Sequence, residues 1–523
     1  MPDTRRAIAD PAYRTIGALL DGYRRAAPHK AAIIDVDRDA TISFGELAAV
    51  VDSVARQLLR HGARAGSRIM LVGSEGPEKL LLWLAVWRIG AVVCPLDIAF
   101  VGAVAASHIF EAIDPSLILL STQADANLVP ATNAPLVRVG AWPASGAEPL
   151  NDAIRFAADA DRTPLPDTGS SSDVASMCCT SGTTGMPKVV VYDHACYWLN
   201  GLDSIDLLGF GPDDRMLEYR SFDWYSAQIL SLAPFLQTGS TLCIARRFSR
   251  SRFAEWVARH RITVCAGVPT VLNMLLEGPL DVDTAALASL RAMTCSTAPL
   301  STPQWARFEA RYGVHVINLY GSSEAGWMCG NRVYRRKFGT IGYPAAHIGF
   351  DIVDADGESC GPDEAGQVVV SGPKLALGLM RRDGGIDPIR GAPFYSRDIA
   401  ARDTEGFVRI SGRMDDLIIR GGVKIVPQEI EDVLLVHPQV QDAAAVGVPD
   451  PIYGQEPVCF VVPRPGSKLD ARQLLAHCRQ HLAREKLPKQ FFIVDTLPRS
   501  ARGKFLRDVL RRDWWIAAHR PEK

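Results

Sequence analysis

The stretch MCCTSGTTGMPKVVV, residues 177–191, places hydroxyls, glycines and one lysine between two apolar runs. The runs 174–179 and 189–192 predict two strands. Gly182 and Gly185 permit backbone conformations that other residues avoid and let a ligand approach the chain closely. The loop amides and the Lys188 ammonium can cradle phosphate oxygens, with further donors from the hydroxyls of Thr180, Ser181, Thr183 and Thr184. The stretch therefore predicts a phosphate-binding loop between two strands; a flexible surface turn is the alternative.

The loop differs from the Walker A pattern, the best-known phosphate-binding sequence. Pro187 stands where that pattern needs glycine, and Val189 stands where it needs serine or threonine. The fold around the loop therefore has to be predicted from the rest of the chain.

Outward from the loop, predicted strands alternate with predicted helices. Ser43 and Glu46 form a capping box at the start of one helix, and strands at 68–72, 91–95 and 117–120 enclose helices at 78–89 and 103–113. The pattern recurs at 253–268 and again up to residue 319. Such alternation predicts a largely parallel sheet that helices cover on both faces. The stretch 145–172, which is rich in Pro, Gly, Ser and Asp, predicts a linker that leads to the loop.

A smaller unit follows residue 412. Helices are predicted at 428–436, 471–482 and 504–515, with strands at 443–448, 458–462 and 491–494. The fold class is therefore predicted as α/β. A large amino-terminal domain, residues 1–412, has mainly parallel sheets covered by helices, and a small mobile carboxy-terminal α+β domain comprises residues 413–523.

The composition describes a globular chain whose binding depends on local sites. The length of 523 residues predicts at least two domains, and fractions of 47% hydrophobic and 22% charged residues are typical of a globular protein. The 57 Lys plus Arg nearly balance the 58 Asp plus Glu, so we expect no nucleic acid partner. The most apolar segment, 80–95, is broken by Arg88 and is too short to span a bilayer. Eleven cysteines without framework spacing, and a start without an apolar core, predict a cytoplasmic protein with reduced thiols.

Four stretches, in this order along the chain, resemble the motifs of the adenylate-forming superfamily. They are TSGTTGMPK at 180–188, NLYGSSEAG at 318–326, SGRMDDLIIRGGVKIVPQEIE at 411–431 and LPRSARGKFLR at 497–507. The superfamily comprises acyl-CoA synthetases, adenylation domains of peptide synthetases and firefly luciferase. The chain is most similar to a stand-alone acyl- or aryl-CoA ligase.

The resemblance implies that the chain activates a carboxylic acid with ATP and Mg²⁺ and then forms a thioester with coenzyme A. It implies three catalytic residues: Lys188 at the pyrophosphate, Glu324 as the Mg²⁺ ligand, and Lys504 between the carboxylate and the α-phosphate. It implies a hinge at Asp415 and a coenzyme A channel at Gly421 and Gly422. The implied ATP site comprises Thr180, Ser181, Gly182, Thr183, Thr184, Gly185, Lys188, Thr297, Ala298, Pro299, Tyr320, Gly321, Ser322, Ser323, Asp398 and Arg413.

Single residues of this set also have plainer interpretations. Tyr320 could be a core aromatic, Glu324 a helix-start carboxylate, Asp398 a turn residue and Lys504 a solvated lysine. The chain also departs from the family at Val189, where glycine is common, and at Ser396-Arg397, where Thr-Gly is common. Arg397 could add a charge near the nucleotide.

The implied acyl pocket lies between the Tyr-Gly motif and the segment RSFDWYSA, residues 220–227, here named the acyl segment. Its predicted lining residues are Phe222, Asp223, Trp224, Tyr225 and Trp327. The flat side chains favour a small or aromatic acid, although two of the three residues Trp224, Tyr225 and Trp327 could instead pack the core. Asp223 resembles the aspartate that meets the substrate ammonium in amino-acid-activating domains. A buried carboxylate needs a partner, and a substrate cation, a substrate hydroxyl, Arg220 or a backbone amide are the alternatives.

The acceptor and the partners are left partly open by the sequence. Coenzyme A is favoured for a stand-alone chain of this length, and the pantetheine of a carrier protein is the alternative. A homodimer is also compatible with the sequence. A non-catalytic nucleotide-binding regulator is the alternative of another class, but mere binding needs neither Glu324 nor Lys504.

Overall fold

The computed structural model describes residues 10–73, 76–97, 102–121, 124–140, 153–156, 161, 163–167, 169–180, 187–277, 284–298, 300–499 and 505–518. The helices within these ranges are α1 Ile16–Ala26, α2 Phe44–Arg60, α3 Pro77–Arg88, α4 Ala103–Ile113, α5 His194–Leu208, α6 Tyr225–Ala227, α7 Ala233–Thr238, α8 Phe253–His260, α9 Pro269–Glu277, α10 Thr302–Tyr312, α11 Pro427–Val436, α12 Ala471–His481 and α13 Arg507–Ala518. A π-helical turn, Gln228–Leu232, joins α6 to α7.

The strands supply four sheets. They are β1 Ala31–Asp35, β2 Ala40–Ser43, β3 Arg68–Val72, β4 Val92–Leu96, β5 Leu117–Ser121, β6 Leu136–Val139, β7 Ala153–Ile154, β8 Val174–Thr180, β9 Lys188–Asp193, β10 Arg215–Glu218, β11 Thr241–Ile244, β12 Val264–Cys265, β13 Ala292–Cys295, β14 His315–Ser322, β15 Gly326–Gly330, β16 Tyr343–Pro344, β17 Gly349–Val353, β18 Gly366–Ser371, β19 Gly378–Met380, β20 Ile386–Pro388, β21 Phe394–Arg402, β22 Val408–Arg413, β23 Ile418–Arg420, β24 Val423–Ile425, β25 Val440–Asp450, β26 Gly454–Pro463 and β27 Gln490–Ile493.

Two nine-stranded sheets form the centre of the large domain. One has the order β20-β19-β9-β8-β4-β3-β5-β6-β7, and the other has the order β16-β15-β14-β13-β12-β10-β11-β1-β2. The run from β8 through β4, β3, β5 and β6 to β7 is parallel. The run from β14 to β1 in the other sheet is parallel as well. The predicted α/β class with mainly parallel sheets is confirmed.

Two antiparallel units complete the chain. The sheet β17-β18-β21-β22 follows the second nine-stranded sheet, and β22 ends at Arg413. Beyond it, β24-β23-β26-β25 and β27 form the sheet of the small domain, which packs against α11, α12 and α13. The predicted small α+β domain is therefore present, while the boundary between residues 412 and 413 stays a prediction.

Most predicted elements agree with the structure, and two differ for a local reason. The strand predicted across 262–268 contains only Val264–Cys265, and on its carboxy-terminal side the Gly267 amide donates to Thr294 Oγ1 at 3.0 Å instead of continuing the ladder. The last helix begins at Arg507 rather than 504, because Phe505 pairs with Arg499 in an isolated bridge. The capping box of Ser43 and Glu46 is formed as predicted. No helix within the described ranges is long and apolar enough to cross a membrane.

Helix α3 is buried along its whole length, including its three charged residues. Glu78 pairs with Arg38 at 2.9 Å and with Arg246 at 3.0 Å, and Arg88 pairs with Asp52 at 2.9 Å. Buried charges are tolerated only with such partners. The third charged residue, Lys79, pairs with the acyl segment and belongs to the site described below.

A buried polar chain ties the start of the described structure to the large domain. Lys374 is fully buried and donates to Asp203 and to the carbonyl of Trp327. His347 joins Asp203 through Nδ1 at 2.7 Å and Asp10 through Nε2 at 2.8 Å. The pKa of His347 is raised above its usual 6.5, mainly by the hydrogen bond to Asp203. The protonated imidazole ring of His347 therefore stabilises the fold.

The first prediction concerns the pH dependence of this stabilisation. A group whose pKa is raised by folding contributes fully below its unfolded pKa, and the contribution is lost as the pH rises through the folded pKa. We expect His347→Gln to lower the free energy of unfolding by about 1 kcal/mol below pH 6.5, and by progressively less as the pH rises. Urea unfolding between pH 5.5 and 9 measures it. His61→Gln, at an exposed histidine, is the control. An effect of His347→Gln that grows with pH would contradict the assignment.

Candidate nucleotide and acid site

The ends of the β8–β9 hairpin fix where the predicted phosphate loop begins and ends. Thr180 is the last residue of β8 and pairs in register with Lys188, the first residue of β9. Lys188 is exposed there, so its ammonium can reach a ligand. The loop residues Ser181, Gly182, Thr183, Thr184 and Gly185 lie outside the described residues. Their roles stay predictions.

Tyr320 lies near the end of β14, where the chain turns tightly into β15. The turn requires glycine at Gly321, since a Cβ there would lie 2.2 Å from the carbonyl oxygen of Gly326. Tyr320 donates its hydroxyl to Oδ2 of Asp398 on β21 at 2.5 Å. Burial raises the pKa of the Tyr320 phenol well above 10, and Asp398 raises it further, so the phenol keeps its proton. Two residues predicted to hold adenine and ribose thus meet at one point.

Asp398 is connected to the predicted hinge through arginines. Arg413, at the end of β22, lies 3.5 Å from Asp398 and 3.5 Å from Asp415. Arg397 pairs with Asp415 at 2.9 Å, although its side chain is 66% exposed. Arg397, which stands where the family commonly has glycine, therefore pairs with the predicted hinge residue Asp415.

The segment predicted at the adenine edge has an unusual backbone. Thr297, two residues after β13, has a φ of +80°. A β-branched residue rarely adopts this conformation, which costs about 1–3 kcal/mol and tends to occur at functional sites. Ala298 is half-buried beside it, and Pro299 lies outside the described residues. The strain is compatible with a segment whose backbone faces a ligand.

Glu324 lies in a short turn in which Ser322 Oγ accepts the amide of Ala325 at 3.2 Å. Glu324 is half-buried, and its charge contributes to the raised pKa of Tyr192, whose main cause is burial. No group of three or more metal-ligating side chains occurs in the described part of the chain. A Mg²⁺ ion bound by Glu324 would take its other ligands from phosphate and water, as Mg²⁺ commonly does with nucleotides. The residues present therefore fit the metal.

Tyr192 connects three parts of the site: the β8–β9 hairpin, the acyl segment and the turn that contains Glu324. It lies on β9, and its ring stacks on Tyr225 with centroids 3.9 Å apart. Its hydroxyl donates to the carbonyl oxygen of Ser323 at 2.8 Å. Strand β9 therefore contacts both the acyl segment and the turn that contains Glu324.

The acyl segment is also held from its carboxy-terminal side by the π-helical turn, a feature frequent at functional sites. Gln228 donates to the carbonyl oxygen of Phe222 at 2.6 Å and accepts the hydroxyl of Tyr197 at 2.7 Å. Phe222, Tyr225 and Trp327 are buried within the main core, and Trp327 donates to Ser204 at 3.0 Å. Trp224 is half-buried. Core packing accounts for Tyr225 and Trp327, whereas their pocket role stays a prediction.

Asp223 has a protein partner that the sequence did not predict. Arg220 is not that partner, because Glu218 binds its guanidinium with Nη2–Oε2 at 2.7 Å. Lys79 Nζ lies 2.5 Å from Asp223 Oδ1, and the two side chains are 1% and 12% exposed. Helix α3 is apolar on all sides and must therefore be buried. Because a buried charge needs a partner, Lys79 in its first turn could have been recognised as needing a carboxylate.

The small domain contributes the remaining predicted residues. Lys504 lies outside the described residues. Gly421 and Gly422 have φ values of +54° and +86° and form the two-residue turn between β23 and β24, as a type I′ hairpin requires. The hairpin alone accounts for both glycines, so the coenzyme A channel stays a prediction.

Comparison with known proteins shows which family the chain belongs to. Residues 22–380 match the AMP-binding enzyme family, and residues 429–504 match the AMP-binding enzyme C-terminal domain. The chain belongs to the AMP-binding enzyme family. The resemblance drawn from the four motifs is confirmed.

Relatives of this AMP-binding enzyme are similar over almost their whole length. A sulfoacetate–CoA ligase of Cupriavidus necator is 30% identical over 506 residues, covering 95% of this chain and 97% of the relative. A feruloyl-CoA synthase of Amycolatopsis is 31% identical over 493 residues, covering 93% and 96%. The structure of ATP-bound MatB from Rhodopseudomonas palustris is similar with a TM-score of 0.84 and 26% identity, covering 95% and 99%. The prediction of an enzyme is confirmed.

The second prediction concerns ribose recognition by Asp398. We expect Asp398→Asn to lower kcat/KM for ATP about 10- to 100-fold, because a hydrogen bond to a charged group contributes about 1.5–3 kcal/mol. The variant should also lose most of the discrimination between ATP and 3′-deoxy-ATP. Steady-state pyrophosphate release with both nucleotides measures it.

Asp387→Asn is the matched control, since Asp387 is exposed and pairs with an exposed arginine, Arg381. If Asp398→Asn discriminates between ATP and 3′-deoxy-ATP as strongly as the wild type does, Asp398 does not bind the ribose.

Proposed function

We propose that the protein is an AMP-forming acid–CoA ligase that activates a small or aromatic carboxylic acid. A carboxylate oxygen attacks the α-phosphorus of ATP, and pyrophosphate leaves. The thiol of coenzyme A then attacks the acyl carbon, and AMP leaves. The prediction is confirmed at the level of the reaction class by relatives that include sulfoacetate–, feruloyl- and indoleacetate–CoA ligases. The identity of the acid belongs to the proposal.

The observation that carries the proposal is the position of Tyr192. It connects the strand that begins with Lys188, the acyl segment through Tyr225, and the turn that contains Glu324. A carboxylate bound at the acyl segment would therefore face the phosphates of a nucleotide whose ribose is bound by Asp398. Such positioning accounts for much of the rate enhancement in phosphoryl and nucleotidyl transfer.

Each residue has a defined task in this scheme. Lys188 and the loop hydroxyls hold the leaving pyrophosphate, and Ser323 contacts the α-phosphate. Tyr320 stacks on adenine and keeps Asp398 oriented toward the ribose. Lys504 bridges the carboxylate and the α-phosphate, where negative charge develops. Glu324 would hold Mg²⁺, which would supply positive charge to the phosphates.

Support for a small or aromatic acid comes from the closed character of the acyl segment. Phe222 and Tyr225 are buried and Gln228 donates to the carbonyl oxygen of Phe222, so the segment is firmly packed, which favours a compact acid over an extended alkyl chain. Coenzyme A is favoured over a carrier protein by the named relatives. A cytoplasmic location and a homodimer complete the proposal.

The third prediction tests the function directly. With ATP, Mg²⁺ and a panel of short-chain, aryl and amino acids, we expect pyrophosphate release with small or aromatic acids, and thioester only when coenzyme A is present. Glu324→Ala should lower the rate by about two or more orders of magnitude, because it removes the metal ligand. Rates of pyrophosphate and thioester formation measure it. ATP binding without acid-dependent turnover would support a nucleotide-binding regulator instead.

The fourth prediction concerns the proposed hinge and uses the two half-reactions. We expect Lys504→Ala nearly to abolish adenylate formation, because it removes a cation from the developing charge. The same variant should convert preformed acyl-adenylate to thioester at a near-normal rate. Asp415→Pro should form adenylate but little thioester, because proline fixes φ and prevents the rotation. Single-turnover assays of each half-reaction measure both effects.

Asp415→Ala is the control for Asp415→Pro. It also removes the ion pairs with Arg397 and Arg413, but it leaves φ free. Equal slowing of both half-reactions by Lys504→Ala would contradict the two-state hinge. Thioester loss in Asp415→Ala equal to that in Asp415→Pro would attribute the effect to the ion pairs.

A further inference from the structure

The acyl segment contains one carboxylate, Asp223, at the place where the resemblance implies the acid's pocket. Gln228 ties this segment to Cys178, because its side-chain amide donates to the carbonyl oxygen of Phe222 at 2.6 Å and to Cys178 Sγ at 3.5 Å. Cys178 lies two residues before Thr180, where the predicted phosphate loop begins. Asp223 is therefore near the reacting end of the site rather than on a remote surface.

A chain cation already neutralises this carboxylate. Lys79 Nζ lies 2.5 Å from Asp223 Oδ1, and Lys79 is 1% exposed. Lys79 stands in the first turn of α3, where the helix macrodipole disfavours a positive charge. A carboxylate beside it offsets both this effect and the loss of water, which is the main cost of burying a charge.

The pair changes what the pocket can accept. An acid with an ammonium group would have to displace Lys79 or place a second positive charge beside it in a dry environment, and like charges there are strongly disfavoured. An acid with a second anionic group would have to draw Lys79 away from Asp223. An uncharged side group meets neither obstacle.

We propose that Lys79 is a specificity-determining residue whose ammonium occupies, on Asp223, the position that a substrate ammonium would take. The enzyme therefore selects acids without a second charge and rejects amino acids. This inference rests on the proposed function, and it names the substrate class of that site. It also replaces the interpretation of Asp223 as a binding group for a cationic substrate.

The test uses acids that differ only by a methyl or an ammonium group. The probes are 4-ethylbenzoate against 4-(aminomethyl)benzoate, and butanoate against 3-aminopropanoate. For each pair, kcat/KM of ATP-dependent adenylate formation is measured. We expect the wild type to favour the uncharged member at least about tenfold. In Lys79→Ala the ratio should move at least about tenfold toward the ammonium member, because Asp223 then lacks its internal cation.

The double variant Lys79→Ala/Asp223→Asn separates charge from shape. It has the same space as Lys79→Ala but no carboxylate, so the gain for the ammonium member should disappear. Lys79→Met, which keeps most of the side-chain volume without the charge, replaces Lys79→Ala if that variant does not fold. The preference of the wild type for the uncharged member of each pair can be measured without any variant.

Several outcomes would overturn the inference. They are a wild type that uses both members equally, a wild type that prefers acids with a second carboxylate, and a Lys79→Ala ratio that is unchanged. The last result would make the ion pair purely structural. If no acid of either kind supports adenylate formation by the wild type, the proposed function itself fails, and the inference falls with it.

Discussion

Tyr192 is the contact on which the arrangement of the site depends. Its ring lies flat against Tyr225 of the acyl segment, and its hydroxyl bonds the backbone of Ser323. Because the residue is fully buried on β9, this single side chain holds the strand that begins at Lys188 against both the acyl segment and the turn that contains Glu324. Reactions that depend on positioning tolerate little movement between such parts.

The nucleotide side of the site joins different sheets in a similar way. Tyr320 comes from one of the two nine-stranded sheets and Asp398 from the four-stranded antiparallel sheet, and the Tyr320–Asp398 hydrogen bond connects them. Arg413 and Arg397 extend this connection to Asp415, the predicted hinge residue. The residue proposed to bind the ribose and the residue proposed as the hinge are therefore connected through neighbouring charges, as expected for an enzyme proposed to use one small domain in two half-reactions.

Local periodicity and the motifs made much of this predictable from the sequence. The bounds of Arg68–Val72, Ala103–Ile113 and Phe253–His260 agree with the structure, because short apolar runs and helical spacing are local properties. The contacts Tyr320–Asp398, Arg397–Asp415 and Lys79–Asp223 were not predicted, because each depends on how distant segments pack. Lys79 illustrates the limit of prediction from sequence. Its burial could be inferred from the apolar helix around it, but the sequence did not indicate that its partner is Asp223.

The central claim is that a carboxylate oxygen attacks the α-phosphorus and later leaves with AMP. Turnover of an acid labelled with ¹⁸O in both carboxylate oxygens, in the presence of ATP, Mg²⁺ and coenzyme A, tests it most directly. Mass spectrometry of the products should find one ¹⁸O atom in AMP and none in pyrophosphate. Label in inorganic phosphate with ADP as the other product, or AMP without label, would contradict the account.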